Sequence, residues 1–169
     1  MDQQLEISVV APVFNERDNL DEFISSVLKV MKAQNQTFEL IVIDDGSTDG
    51  SEKLLTAAVD NHLELRVLRL SRNFGQTAAI QAGFDIAKGK YLVTLDSDLQ
   101  NDPKDIPKLI NKLKEESLDL VVGWRKNRKD NFFLRNFPSR VANLLIGRIT
   151  KVKLNDYGCS LRAYNSEIL

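Results

Sequence analysis

A single cysteine, Cys159, stands in a chain of 169 residues, so no internal disulfide can form, which fits a reducing compartment. No stretch reaches the roughly 18 apolar residues expected of a membrane span. The opening MDQQLEISVVAPV has neither a basic region nor a long apolar one, so no secretory leader is expected. The NQT sequon at Asn35 then reads as a chance match. A formal net charge of −1 excludes a globally basic nucleic-acid binder. No G-x-G-x-x-G follows the first predicted strand and no G-x-x-x-x-G-K-[ST] occurs anywhere, which argues against a dinucleotide cofactor and a P-loop nucleotide hydrolase. Repeats, low-complexity tracts and linkers are missing too. The one histidine, His62, follows a predicted helix and reads as a surface residue.

What is present is 43% hydrophobic, enough to bury a core, in a length suited to one domain. LEISVVAPV (5–13) is rich in β-branched residues and predicts a buried strand. Leu20, Phe23, Ile24, Val27, Leu28 and Met31 recur at helical spacing. FELIVIDD (38–45) predicts a second strand, followed by the turn GSTDG and a helix over about 51–60. LRVLRL (65–70) predicts a third strand, and 75–89 a small-residue helix with Gly89 as its C-cap. KYLVTLD (90–96) predicts a fourth strand. Asp102 and Pro103 predict the cap and first residue of a helix running to about Glu116, and DLVVGW (119–124) a fifth strand. Strand and helix alternating with short connections predict an α/β layered fold with a mainly parallel central sheet flanked by helices, as one domain over 1–169.

From Trp124 onward the character changes. Up to Lys153 the only acid is Asp130, among basic residues that include Arg125, Arg135 and Arg140, interleaved with Phe132, Phe133, Phe137, Leu144 and Leu145. The part after Pro138 reads as an amphipathic helix. This segment is either a solvated basic face over a core-packing helix or a surface that meets an anionic bilayer.

Three predicted strands end in polar groups: Asn15-Glu16, Asp44-Asp45 and Asp96-Ser97-Asp98. Ligands of open α/β sheets bind beyond the carboxyl ends of the strands, so these groups are expected to meet on one edge. If the chain stays extended, Asp96 and Asp98 point the same way, roughly 7 Å apart, with Gln100 next on that face. Two such carboxylates suit a hard divalent cation, Mg²⁺ or Mn²⁺, shared with a diphosphate. A phosphatase with an aspartate nucleophile would carry its D-x-D after the first strand. A phospho-receiver would carry its acid pair there too, with a lysine after the fifth. Neither matches, and a membrane-docking module without catalysis is the third rival.

APVFNERDNL, VIDDGSTDGS, LSRNFGQTAAIQAGFDIAKGKYLVTLDSDLQNDP and NDYGCSLRAYN, in that order, closely resemble family-2 inverting glycosyltransferases of the GT-A fold. Within that family the chain is most similar to the polyprenyl-phosphate glycosyltransferases, which use dolichyl or undecaprenyl phosphate. The resemblance implies a nucleotide-sugar half over about 1–100 and an acceptor half over about 101–169. It implies that Pro12, Asn15 and Glu16 line the nucleotide pocket, that Asp44 or Asp45 reaches the base or ribose, and that Arg72 flanks the base. Asp96 would lie against ribose and diphosphate, and Asp98 with Gln100 would hold the metal. Asp156 would sit near the acceptor, orienting it, or acting as a base if the acceptor were a saccharide hydroxyl. Arg125, Arg135 and Arg140 would take the acceptor phosphate, whose oxygens match forked donors. A nucleotide-diphosphate sugar, a polyprenyl phosphate and the cytoplasmic face of a membrane are the implied partners, with a homo-oligomer as a further possibility. Members of the subgroup usually continue past SLRAYN with helices and transmembrane segments, so the chain is expected to be a catalytic domain cut short.

Overall fold

The computed structural model describes residues 5–124 and 158–168. Its strands are β1 (Ile7–Val13), β2 (Phe38–Asp44), β3 (Leu65–Arg69), β4 (Tyr91–Thr94), β5 (Leu120–Val122) and β6 (Arg162–Asn165). Its α-helices are α1 (Leu20–Lys32), α2 (Ser51–Asn61), α3 (Gln76–Ile86) and α4 (Ile106–Glu115). The sheet runs β3-β2-β1-β4-β6-β5. β1, β2, β3 and β4 pair in parallel, and β6 pairs antiparallel with both β4 and β5. The mainly parallel α/β layered fold is therefore present, with one reversed strand inside it that the sequence analysis did not foresee.

The near-continuous apolar runs of β1 and β2 follow from burial on both faces. Ile7, Val9, Ala11 and Val13 of β1, with Leu40 and Val42 of β2, enter the larger core beneath α1 and α4. Val10, Ile41 and Ile43 point to the other face, under Ala79 of α3. All six residues of the predicted α1 stripe are buried. α3 lies close because its inner face is small: a Cβ on Gly83 would come within 2.4 Å of Val10 Cγ1 and 2.7 Å of Ile43 Cδ1.

Several expected boundaries shift. α3 ends at Ile86 with an extended Ala87 as its cap, so Gly89 is no C-cap. Gly89 instead lies against β1, where a Cβ would meet Ser8 N at 2.5 Å. Asp102 does cap, but it accepts from Lys104 N at the start of a 3₁₀ turn that leads into α4. β4 stops at Thr94, two residues short of Asp96. Cys159 is buried, its Sγ 3.7 Å from Asn101 Oδ1, as expected of a packing residue. His62 is half-buried at the α2 C-cap.

At the opposite end of the strands from their carboxyl edge, the Ser8 hydroxyl donates to Glu39 Oε1 at 2.6 Å and accepts from Gly89 N at 2.9 Å. Lys88 N also donates to Glu39 Oε1, and Arg66 Nη1 donates to Oε2 at 2.6 Å. Burial alone would raise the Glu39 carboxyl, but these donors from Ser8, Arg66 and Lys88 outweigh it and hold it below the ordinary value of 4.5.

Candidate functional site

The carboxyl ends of β1, β2 and β4 open on a cavity of 310 Å³ lined by Pro12, Val13, Phe14, Glu16, Asp45, Asn73, Gly75, Gln76, Asp96, Ser97 and Asp98. The parallel pairing that puts Val13 beside Asp44 brings the first two polar clusters together, and the β1–β4 pairing brings in the third. The convergence expected from the strand ends is thus present. Pro12, Glu16, Asp45, Asp96 and Asp98 line this cavity. Asn15, Asp44, Arg72 and Gln100 do not.

Each of those four has another place. Asn15 holds two loops together: its amide donates to Ser47 Oγ at 3.0 Å and its Oδ1 accepts from Thr48 N at 2.8 Å. Its φ of 56° lies in the left-handed region, which asparagine tolerates better than most residues. Asp44 is buried, with Oδ1 accepting from Ser47 N. Among the described residues its Oδ2 has no hydrogen-bond partner, and it lies 3.6 Å from Arg69 Nε, an ionic neighbour beyond bonding distance. Arg72 lies over the Phe74 ring, 4.9 Å from its centroid. Gln100 lines a separate cavity of 720 Å³ beside Leu109, Val121 and the exposed Trp124. The extended reading of 96–100 fails there for a local reason. Asp98 Oδ1 accepts from Gln100 N at 3.0 Å, and Leu99 sits at φ 60°, so the chain turns and Gln100 leaves the Asp96–Asp98 face.

The two acids of VIDD divide by burial and bonding. Asp45 is the one that reaches the cavity, and both its oxygens are engaged: Oδ1 accepts from Phe74 N and Oδ2 from Gly75 N, each at 2.8 Å. The bend after Asp45 requires glycine. Gly46 has φ +73°, and a Cβ there would come within 2.5 Å of the Arg72 carbonyl carbon. Asp96 Oδ1 accepts from Gln76 Nε2 at 2.6 Å, and Glu16 Oε2 from Asn19 Nδ2 at 2.6 Å. In a neighbouring cavity that shares Glu16, burial would raise the Asp49 carboxyl, but the Ser51 hydroxyl and the amides of Ser51 and Arg17 hold it lower.

Among the described residues no group of three or more His, Cys, Asp or Glu side chains gathers into a metal cage. Asp96 and Asp98 nevertheless give the cavity two hard carboxylates, the donor set of a cation whose remaining ligands are phosphate oxygens and water. Phe14, 44% exposed on the cavity wall, offers an aromatic face. Asp156, Arg125, Arg135 and Arg140 lie outside the described residues. Sequence reasoning passed over Phe14 and Gln76, although both line the cavity and stand inside the motifs PVFNE and FGQT that carried the resemblance.

A family model described as "Glycosyl transferase family 2" matches residues 8–169. A dodecaprenyl-phosphate galacturonate synthase of Rhizobium johnstonii is 52% identical over 168 residues, 99% of this chain and 50% of the relative. An undecaprenyl-phosphate 4-deoxy-4-formamido-L-arabinose transferase of Yersinia pestis is 43% identical over 164 residues, 96% of this chain and 50% of the relative. The chain thus spans about half the length of the curated relatives it matches. Two solved structures share the GT-A fold. Glucosyl-3-phosphoglycerate synthase of Mycobacterium tuberculosis, with Mn²⁺, UDP and glucosyl-3-phosphoglycerate, superposes with TM-score 0.74 at 24% identity, covering 98% of this chain and 58% of that one. The mannosyltransferase PcManGT of Pyrobaculum calidifontis, with GDP-Man and Mn²⁺, gives TM-score 0.70 at 19% identity, covering 99% and 46%.

Proposed function

Because the chain belongs to glycosyl transferase family 2, whose model spans residues 8–169, we propose that it carries the donor-binding part of a transferase that moves a sugar from a nucleotide diphosphate to a polyprenyl phosphate, with inversion. The observation that carries the reading is the 310 Å³ cavity at the strand ends, lined by Asp96 and Asp98 together with Pro12, Phe14 and Glu16. The names of the Rhizobium and Yersinia relatives support the class of acceptor.

Phe14 offers its ring to the base, and Asp45, by holding the Phe74 and Gly75 amides, fixes the loop that closes that end. Asp96 and Asp98 would hold a divalent cation, Mg²⁺ or Mn²⁺, as the Mn²⁺ complexes of structural neighbours support. A cation held by these carboxylates would supply charge neutralisation for the leaving diphosphate without a proton. Gln100, the other expected ligand, opens on the far side of the turn. Gln76, bonded to Asp96, keeps that carboxylate oriented toward the cavity. The acceptor phosphate is already largely ionised at neutral pH, its second pKa being about 6, so it needs little help from a base. Asp156 then orients rather than deprotonates, and Arg125, Arg135 and Arg140 bind the acceptor phosphate at the cytoplasmic face of a membrane.

Calorimetry of UDP and GDP with and without Mn²⁺, beside a transfer assay with polyprenyl phosphate, tests the reading. Asp98→Ala is expected to remove the metal-dependent part of nucleotide binding and leave the fold intact. Wild-type affinity in Asp98→Ala with Mn²⁺ present would refute it.

A further inference from the structure

Asp96 and Asp98 stand on a short irregular segment after β4, and one residue holds both of its ends. Thr94 Oγ1 donates to Ser160 O at 2.6 Å, and Asn101 Nδ2 donates to Ser160 Oγ at 3.0 Å. Ser160 thus grips the segment 94–101 at its start and at its finish. Thr94 and Asn101 are buried, whereas Leu99 and Gln100 between them are exposed. Asn101 has a second tie, since its Oδ1 accepts from Cys159 Sγ at 3.7 Å. Both polar atoms of its side chain therefore face the residues that lead into β6.

The turn inside the segment explains why a grip is needed. Leu99 sits at φ 60°, in the left-handed region, where a leucine stays only if the surrounding contacts hold it. Upstream of Asp98, the buried Ser97 donates to Pro12 O at 3.3 Å and fixes the chain on that side. Asp98 Oδ1 accepts from Gln100 N at 3.0 Å, so the direction of the carboxylate follows the backbone of the turn. Downstream, Asn101 is the first buried residue after Asp98. Without its bonds, residues 98–100 are free to relax toward the φ values that leucine prefers, and the Asp98 carboxylate turns with them.

We infer that Asn101 is a positioning residue for Asp98: through Ser160 it holds the turn at Leu99 in the form that presents the carboxylate to a divalent cation. The inference rests on the metal and nucleotide reading above and adds the residue that sets the geometry of the metal ligand. Side chains that orient a ligand without touching the metal typically contribute about ten- to a hundredfold in metal affinity.

The test is calorimetry of free UDP and GDP on the full chain, with Mn²⁺ and in EDTA, and the tighter nucleotide is carried forward. Asn101→Ala is expected to weaken binding with Mn²⁺ about tenfold or more and to leave binding in EDTA within about twofold of wild type. Ser160→Ala removes the same bond from its half-buried side and is expected to give the same split, which keeps the test open should Asn101→Ala fail to fold. Combining the two is expected to weaken binding by no more than about twofold beyond either alone, because they share one bond. Leu99→Gly added to Asn101→Ala is expected to bring the affinity with Mn²⁺ back to within about threefold of wild type, because glycine adopts the left-handed turn unaided. A loss of packing alone would not be repaired in that way. Wild-type affinity in Asn101→Ala with Mn²⁺ overturns the inference. Equal losses with and without the metal, losses that multiply when the two alanine substitutions are combined, or a Leu99→Gly change that restores nothing overturn it as well. If the wild-type chain shows no Mn²⁺-dependent nucleotide binding, the metal and nucleotide reading itself has failed and the inference falls with it, a result that needs no variant.

Discussion

Four carboxylates, Glu16, Asp45, Asp96 and Asp98, reach the 310 Å³ cavity at the strand ends, and their hydrogen bonds separate structural from ligand-binding work. Asp45 is buried and holds two backbone amides from the segment that leads into α3. An amide in its place turns one acceptor into a donor facing an N–H. Asp45→Asn is therefore expected to lower stability by about 1–3 kcal/mol in urea unfolding, because a buried donor is left unmet. Asp98 is half-exposed and holds one amide in its own turn, so Asp98→Asn should stay within about 0.5 kcal/mol of wild type. Similar losses for the two variants would show that the division is wrong. The acids themselves were legible in the sequence because strand-terminal carboxylates stand out from apolar runs. Which of Asp44 and Asp45 faces the cavity was not legible, since one residue of register decides it.

Among the elements, α1 was the most readable, because six apolar residues at helical spacing have one way to be buried together. β1 and β2 were readable from their β-branched runs. β6 was not: RAYN alternates only briefly and acquires its strand geometry from β4 and β5. The Ser8–Glu39–Arg66 group was missed as well, although it ties β1, β2, β3 and the loop before β4 into one unit. Its pH dependence has a definite sign. Glu39 is lowered in the folded chain, so the stability it contributes is complete above the ordinary value of 4.5 and is lost as pH falls through the lowered value. Glu39→Gln should cost about 2 kcal/mol at pH 7, the scale of hydrogen bonds to a charged group. In denaturant titrations across pH the gap to wild type should close on the acid side of 4.5. A gap that stayed constant down to pH 3 would mean that the carboxylate's charge is not what stabilises the group.

For the whole molecule, the reversed strand joins the parallel strands to the last strand of the sheet. Leu161 and Ala163 are buried in the main core, and the Thr94 hydroxyl donates to Ser160 O at 2.6 Å. Removing residues 158–169 would leave β5 with no pairing partner among the described residues and uncover one edge of β4. Several kcal/mol should be lost, a fall in Tm of about 10 °C or more for a chain of this size. Thermal unfolding followed by circular dichroism measures it, and an unchanged Tm would show that β6 is dispensable. The same arrangement has a consequence in time. The Thr94–Ser160 bond joins residues 66 apart in sequence. At 5–20 residues per second, a ribosome takes about 3–13 s to cover that interval. Within that interval β4 has been made and the strand that belongs beside it has not, while β5, which runs in the same sense as β4, is synthesised before β6. An early β4–β5 pair would fill the place reserved for β6, and the three-residue length of β5 keeps that pair weak. The order of synthesis thus favours a last strand that is too short to dock ahead of its turn.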